Sequence, residues 1–401
     1  MRNKPHFFLI TQVFYPDEVS TANLFTNLCS ELAKDKEVKV KVWSAHPSYS
    51  STERQSKRLL YKNIAINYLP STNFKKDFLV GRLLNYLTFS LSIFFKLLLS
   101  KEKFPVFTHT TPPSLGIMIA LICKLKKRPF NYILLDIFPD GLVRLNKLSI
   151  NNVLIQFWRK IHKIALNQCY QIIVIGRDME KWVKQFTPEV SEKIKYIPIW
   201  QDVNLIKPIE YQLNNFVIKN KLENKFVVQY SGNMGLWNDM ESLAKMINVN
   251  KEDIHFMFIG GGMRKNELIE TLNNPNADNI SFLPFLSNAI YSESVSACHI
   301  AIVSLRKGLE GMAVPSKIIG IMAAGIPVIA MVPKESEISY IVEEEACGIV
   351  VEPGNINDLL NAILKLKNDF KLRLLMGNNG RMAFEKKYTT AVVCKIYKSL
   401  L

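Results

Sequence analysis

The sequence predicts an α/β protein of two domains, each built on a parallel sheet with helices packed on it. Three observations carry this. Short apolar runs alternate with amphipathic stretches along the whole chain, the pattern of successive strand–helix units. At 401 residues the chain is too long for one ordinary core and suits two. Residues 301–331, AIVSLRKGLEGMAVPSKIIGIMAAGIPVIAM, then spell out one complete βαβ unit. An apolar strand at 301–303 is followed by a polar loop at 305–314 carrying Arg306, Lys307 and Glu310. Pro315-Ser316-Lys317 opens a helix, and Gly325-Ile326-Pro327 closes it before a buried strand at 328–331.

Taken in order, residues 6–13 form the first strand, and Ser20 or Thr21 caps a helix over 22–34. Strands follow at 38–43 and 64–69. Residues 83–99, LLNYLTFSLSIFFKLLL, are apolar almost throughout, interrupted by Asn85 and Lys96. A short strand at 106–108 leads to a helix at 115–124 and a fully apolar strand at 130–135. That strand delivers Asp136-Ile137-Phe138-Pro139-Asp140. Ligands of open α/β sheets bind beyond the carboxyl ends of strands. Asp136 therefore stands where a carboxylate can accept a proton from a hydroxyl; capping the next helix is its other reading, and Asp140 is the second candidate. Helices at 152–167 and 179–185 flank a strand at 171–175, and 195–199 leads to Trp200-Gln201-Asp202. Residues 208–223 are polar and loosely patterned, as a linker would be.

The second domain opens with a strand at 226–230 and the turn Ser231-Gly232-Asn233-Met234-Gly235, whose glycines let backbone N–H groups approach a phosphate. A strand at 255–259 ends in Gly260-Gly261-Gly262-Met263-Arg264, without dinucleotide-fingerprint spacing. Another strand at 280–283 runs into Pro284-Phe285-Leu286. In the 301–331 unit, free N–H groups at the helix start favour an anion, above all a phosphate. Lys317 in that first turn faces the positive end of the helix dipole, which makes sense if it reaches an anionic ligand. The unit reads as a diphosphate seat.

Charge is distributed unevenly. Residues 1–200 hold 30 Lys and Arg against 14 Asp and Glu, whereas residues 201–401 hold 21 of each. The excess points to an anionic partner of the first half, nucleic acid or a negatively charged membrane. No nucleic-acid-binding module is recognisable. The 83–99 stretch, with Lys75, Lys76 and Arg82 before it and Lys101 and Lys103 after, falls a little short of a bilayer span and suits an in-plane contact; a buried core helix is the alternative. Six scattered cysteines argue for a reducing cytoplasm and against disulfides or a zinc site. No secretory leader is evident at the start.

The run VPSKIIGIMAAGIPVIA resembles the donor site of retaining glycosyltransferases of family 4, which have the GT-B fold. The similarity extends to FYPDEVSTANLFTNLCSELA, RLLNYLTFSLS, DIFPDGL, IPIWQD, YSGNMGLWNDMESL and FIGGG followed by Arg264. Bacterial surface-polysaccharide enzymes of capsule, O-antigen and colanic-acid type, often moving N-acetylfucosamine onto a lipid-linked glycan, are the look-alikes. The resemblance implies two Rossmann-like domains facing across a cleft: an acceptor domain at 1–203 with a membrane-associating helix near 82–100, a nucleotide-sugar domain at 204–384, and a C-terminal helix at 385–401 packing back on the first domain.

It also implies site roles. Asp136 and Glu310 are the catalytic candidates. Gly232, Asn233, Gly235, Arg264, Pro284, Phe285, Met312, Ala313, Ser316 and Lys317 would hold the donor nucleotide and diphosphate. Pro16, Thr21, His46 and Asp140 would face the acceptor. The chain departs from the family in having Ser20-Thr21 for a Gly-Gly pair and carboxylates where a histidine is common. It has Asn233 and Leu236-Trp237 where an Arg/Lys clamp is usual, and Gly320 at the second Glu of the family pair. Lys317 and Arg264 would then carry the charge, and either Glu337 or Glu343 would hold ribose or the nucleotide would bind weakly. No Asp-x-Asp occurs, so neither metal nor other cofactor is expected. The expected reaction is retaining transfer from a UDP-sugar to a polyprenyl-diphosphate-linked acceptor, by a cytoplasmic enzyme on the anionic inner face of the plasma membrane. The rivals are a sugar-nucleotide epimerase of GT-B shape and a catalytically silent scaffold.

Overall fold

The structure, a computed structural model, describes residues 4–47, 56–74 and 79–401. Lys75, Lys76, Ser48 and Tyr49 lie outside the described residues. The chain divides into two compact units, Met1–Pro198 with Thr390–Leu401, and Ile199–Thr389. The sequence reading placed these divisions at 203/204 and 384/385.

The first unit holds an eight-stranded sheet. Its strands are β1 (His6–Ile10), β2 (Lys39–Ala45), β3 (Arg58–Tyr61), β4 (Ile64–Leu69), β5 (Val106–His109), β6 (Phe130–Leu134), β7 (Gln171–Val174) and β8 (Ile194–Tyr196). They lie in the order β3-β4-β2-β1-β5-β6-β7-β8. All neighbours pair in parallel except β3, an antiparallel edge strand that the sequence reading missed. Central strands such as FNYIL are buried on both faces, which is why they read as continuous apolar runs. The first helix, Ser20–Leu32, starts two residues before the expected 22. Val19, not Ser20 or Thr21, is its cap residue, with no side-chain cap bond.

The C-terminal helix Thr390–Lys398 packs against Ser20–Leu32. Tyr397 meets Phe7 edge-on at 6.1 Å, and Lys398 pairs with Asp35.

Helix Leu79–Leu99 buries one stripe, Phe89, Ile93 and Leu97, and leaves apolar side chains on the opposite one. Asn85, an interruption in sequence, is a strap. Its side chain accepts from Thr72 Oγ1 and the Phe74 N–H and donates to the Phe74 carbonyl, each at 2.9 Å.

The second unit holds six parallel strands: β9 (Val227–Ser231), β10 (His255–Ile259), β11 (Ile280–Leu283), β12 (Ile300–Ser304), β13 (Val328–Met331) and β14 (Gly348–Val351). Their order is β11-β10-β9-β12-β13-β14. One face of this sheet packs Val228, Phe256, Ile302 and Ile329 against helices Met240–Val249 and Ile356–Asn368. The stretch expected to be a plain linker contains a short helix, Asn215–Lys219, capped by Asn214.

The 301–331 unit folds as β12, helix Lys317–Ala323 and β13. The helix begins at Lys317 with Ser316 as its cap residue, so Pro315 precedes the helix instead of opening it. Gly325 takes φ +70°, and the N–H of Ile326 reaches back to the Ile321 carbonyl at 3.3 Å, closing the helix in the left-handed geometry glycine adopts freely.

Candidate functional site

In the second sheet β9 is the first strand along the chain, and the order proceeds from it in both directions, to β10 on one side and β12 on the other. The loops leaving the carboxyl ends of β9 and β12 therefore part to opposite sides, the place where open α/β sheets take ligands. Nine of the ten predicted donor residues lie in loops after β9, β10, β11 and β12, and Lys317 opens the helix after β12.

At this point Lys317 reaches back to the β9 loop. Its Nζ lies 3.8 Å from the centroid of the Tyr230 ring and 3.4 Å from the Asn233 carbonyl oxygen. A side chain at Gly232 would meet the end of Lys317 at 3.6–3.8 Å. The same Asn233 carbonyl accepts from Tyr230 Oη at 3.2 Å and Asn238 Nδ2 at 3.1 Å. Sequence reading missed Tyr230 and Asn238, whose roles depend on a turn that only folding closes. Burial pushes the Lys317 ammonium down to about 7. A cation so desolvated gains from an arriving anion.

The β9 and β10 loops are laced together. Gly232 N–H donates to the Ile259 carbonyl at 2.8 Å, Met234 N–H to Gly261 at 2.7 Å, and Arg264 N–H to Met234 at 2.9 Å. Asn233 is wedged between glycines: a Cβ at Gly235 would lie 2.8 Å from its Nδ2, and one at Gly262 only 2.5 Å from its Oδ1. Gly262 also sits at φ +139°, so sterics and backbone conformation both require glycine there. The Phe285 ring, 64% exposed, lies over this floor, within 3.2–3.5 Å of the positions where Gly260 and Gly261 would carry a Cβ. Pro284 precedes it just beyond β11.

Other candidates are less well placed for side-chain contact. The Arg264 guanidinium pairs with Glu267 on its own helix. Met312 is fully buried and Ala313 nearly so, leaving their backbone to serve a ligand. Ser316 is exposed and makes no side-chain cap bond. Glu310 is half-buried in the loop between β12 and the helix. At Gly320 a Cβ would meet the Tyr291 hydroxyl at 3.0 Å and Ile206 Cδ1 at 3.1 Å, so a side chain there would require these two neighbours to shift. Glu337 is buried at the head of helix Glu337–Glu344, just beyond β13, whereas Glu343 is exposed near its far end.

The first unit repeats the topology. Its order parts at β1, between β2 and β5, and the carboxyl ends of β1, β2 and β6 carry Pro16, Thr21, His46, Asp136 and Asp140 on the loops and helix starts that follow. Asp136 stands two residues beyond this end of β6, its N–H bonded to Thr110 Oγ1 at 3.2 Å. Burial raises its carboxyl to about 6. Asp140 is paired with Arg159 at 3.1 Å. His46 stacks on Tyr68 at 5.5 Å. His109, which the sequence did not single out, is buried, bonded to Thr11 Oγ1 at 2.8 Å and held neutral by a pKa near 3. Among the described residues no cluster of three or more His, Cys, Asp or Glu is placed to hold a metal ion.

The second unit thus holds a buried ammonium over a glycine-rich turn, and the first a carboxylate with a near-neutral pKa. Comparison with known proteins gives a class. Residues 212–383 match the family Glycosyl transferases group 1. The probable glycosyltransferase WbjE of Pseudomonas aeruginosa is 28% identical over 229 residues, 56% of this chain and 57% of that relative. The match thus spans little more than half of WbjE. The capsular polysaccharide biosynthesis glycosyltransferase CapM of Staphylococcus aureus is 23% identical over 76% of this chain and 78% of its own length. Among solved structures, Anabaena HepE in complex with UDP-glucose superposes with a TM-score of 0.71 at 16% identity, covering 98% of this chain and 99% of that one. The fold is that of GT-B glycosyltransferases, two α/β units on open parallel sheets.

Proposed function

We propose that this chain, whose second unit is a group 1 glycosyl transferase domain, moves a sugar from a nucleoside diphosphate to a polyprenyl-diphosphate-linked glycan. The donor is proposed to be a UDP-sugar such as UDP-N-acetylfucosamine or a related N-acetylhexosamine. The transfer retains stereochemistry and proceeds without a metal, in building a bacterial capsule or O-antigen. The carrying observation is the meeting of the Lys317 ammonium with the Gly232–Asn233 turn. A relative named for capsular polysaccharide biosynthesis and a structural neighbour with bound UDP-glucose support the substrate class.

As the sugar–phosphate bond breaks, negative charge grows on the diphosphate. Lys317 and the glycine-loop amides meet that charge where it develops, the most effective place for electrostatic stabilisation. Phe285 offers a flat apolar surface for the base. Asp136, ionised above about pH 6, accepts the proton of the attacking hydroxyl. The enzyme works in the cytoplasm, peripherally attached to the inner face of the plasma membrane through helix Leu79–Leu99.

The test incubates the membrane fraction with UDP- and GDP-sugars and a lipid-linked acceptor. Free nucleoside diphosphate together with a lengthened lipid glycan supports transfer. An epimerised sugar nucleotide would instead establish an epimerase, and no turnover with any donor a silent scaffold.

Proton linkage gives a binding test. Unliganded Lys317 loses its proton near pH 7, and a diphosphate raises that pKa, so binding above pH 7 takes up a proton. UDP affinity is expected to fall by up to about tenfold per pH unit above 7, levelling off at the pKa of the complex. Calorimetry in two buffers of different ionisation heat measures this uptake; no uptake at pH 8 would show that the ammonium does not meet the phosphates.

A further inference from the structure

The membrane reading above rests on one helix, Leu79–Leu99, but the apolar surface does not stop at that helix. It packs beside Leu115–Leu125, which in turn packs beside Val153–Gln168. Each turns apolar side chains outward: Leu87, Leu91 and Phe95 on the first, Leu121 and Leu125 towards the end of the second, and Val153, Leu154 and Phe157 at the start of the third. Val153 is 77% exposed, Leu154 74% and Phe157 60%, on a helix whose inward side already buries Ile155, His162, Ala165 and Leu166. The first and second helices are tied at their ends, where Lys126 Nζ donates to the Leu98 carbonyl at 2.5 Å.

Charge selects what covers this face. None of the three helices contains an Asp or Glu, whereas they carry Arg82, Lys96, Lys124, Arg159, Lys160 and Lys163. Arg159 and Lys163 are paired with Asp140 and Glu189 from neighbouring elements, and Arg82, Lys96, Lys124 and Lys160 are exposed. Arg144, at the end of helix Asp140–Arg144, and Lys147, in the turn that follows it, are exposed and extend the basic rim. A symmetric pairing of two copies would set this basic surface against itself. An anionic bilayer meets both its apolar and its charged demands.

Direction adds meaning. Val153–Gln168 leads from the β6 loop into β7, so its first turns stand at the carboxyl end of the sheet, the end that carries Asp136. We propose that the amino-terminal turns of Val153–Gln168, through Val153, Leu154 and Phe157, are a second membrane contact, lying in the same anionic lipid surface as Leu79–Leu99. This contact, which rests on the membrane reading above, brings the lipid–water boundary to the end of the first sheet where an acceptor carried on a lipid has to be reached.

Site-specific labelling separates the two claims. All six native cysteines are buried, so a cysteine placed at an exposed position takes a thiol-reactive, polarity-sensitive dye selectively. Full-length Leu87→Cys and Leu154→Cys proteins are labelled and mixed with vesicles of equal phosphatidylglycerol and phosphatidylcholine, with Lys371→Cys as the solvent reference. Both dyes are expected to shift to the blue. If the Leu87→Cys dye responds and the Leu154→Cys dye stays in water, the second contact is overturned and the first stands. If neither responds, the membrane reading itself falls, and this contact with it. A blue shift at Leu154→Cys that grows with protein concentration in the absence of vesicles would make the face a contact between copies and also overturn the proposal. The Leu154→Ser/Phe157→Ser double variant removes only exposed side chains. It is expected to bind the vesicles about tenfold more weakly with unchanged thermal unfolding.

Discussion

Replacing Lys317 by alanine is expected to lower sugar transfer by about 100- to 1,000-fold, the usual cost of removing one preorganised donor from a developing anion. The fold should lose little. Burial already holds this ammonium near pH 7, so the charged form is disfavoured where it sits, and its removal relieves that desolvation. Lys317→Met, which keeps an unbranched stem over the Tyr230 ring, is expected to melt no lower than the parent at pH 7 while transferring as poorly as alanine. Turnover and UDP affinity equal to the parent in either variant would remove Lys317 from the reaction. A collapse of thermal stability would instead mark it as a packing residue.

The second large effect is expected at Asp136. Asp136→Asn should reduce transfer by about 100- to 10,000-fold, the range for loss of a positioned general base. The pH profile carries the sign. The carboxyl is raised to about 6, so the parent should lose activity below that value by about tenfold per pH unit as its base is protonated. The asparagine variant should lack this limb. Stability should move the other way. A carboxyl whose folded pKa is raised binds its proton more tightly in the native state, so its stabilising contribution is present at low pH and lost as pH rises through about 6. At pH 8 the parent holds a desolvated charge that asparagine does not, and the variant should melt higher. Less activity with more stability is the signature of a group placed for chemistry; an active variant retaining the acid limb would remove Asp136 from the reaction, and capping is no alternative, because the next helix, Asp140–Arg144, has Pro139 as its cap residue and no side-chain cap bond.

Much of the fold was legible because its determinants are local. The apolar runs that became β6, β10 and β13 are fully buried strands, and Gly325 stops its helix in the geometry expected of it. The misses have local reasons too. Arg58–Tyr61 is a four-residue edge strand with alternate residues exposed, too short to stand out. Ser20 and Thr21 carry good capping side chains, but the backbone enters the helix one residue earlier, at Val19. Asn85 read as a blemish in an apolar helix because the carbonyl and hydroxyl it serves lie in a separate segment.

By itself the sequence determined the two parallel-sheet units, the order of their strands along the chain and the loops in which phosphate and proton chemistry would be sought. Periodicity, glycine turns and helix ends act over a few residues, and such signals survive in one dimension. The tertiary structure alone decided which loops meet. Lys317 and Asn233 are 84 residues apart in the chain, and only the placing of β12 beside β9 brings the ammonium onto the Tyr230 ring and the Asn233 carbonyl. Strand order also set three acid-free helices side by side and turned apolar side chains of each outward. Burial, which moves the Lys317 and Asp136 pKa values toward neutrality, belongs to the packed surroundings and to no single stretch of chain.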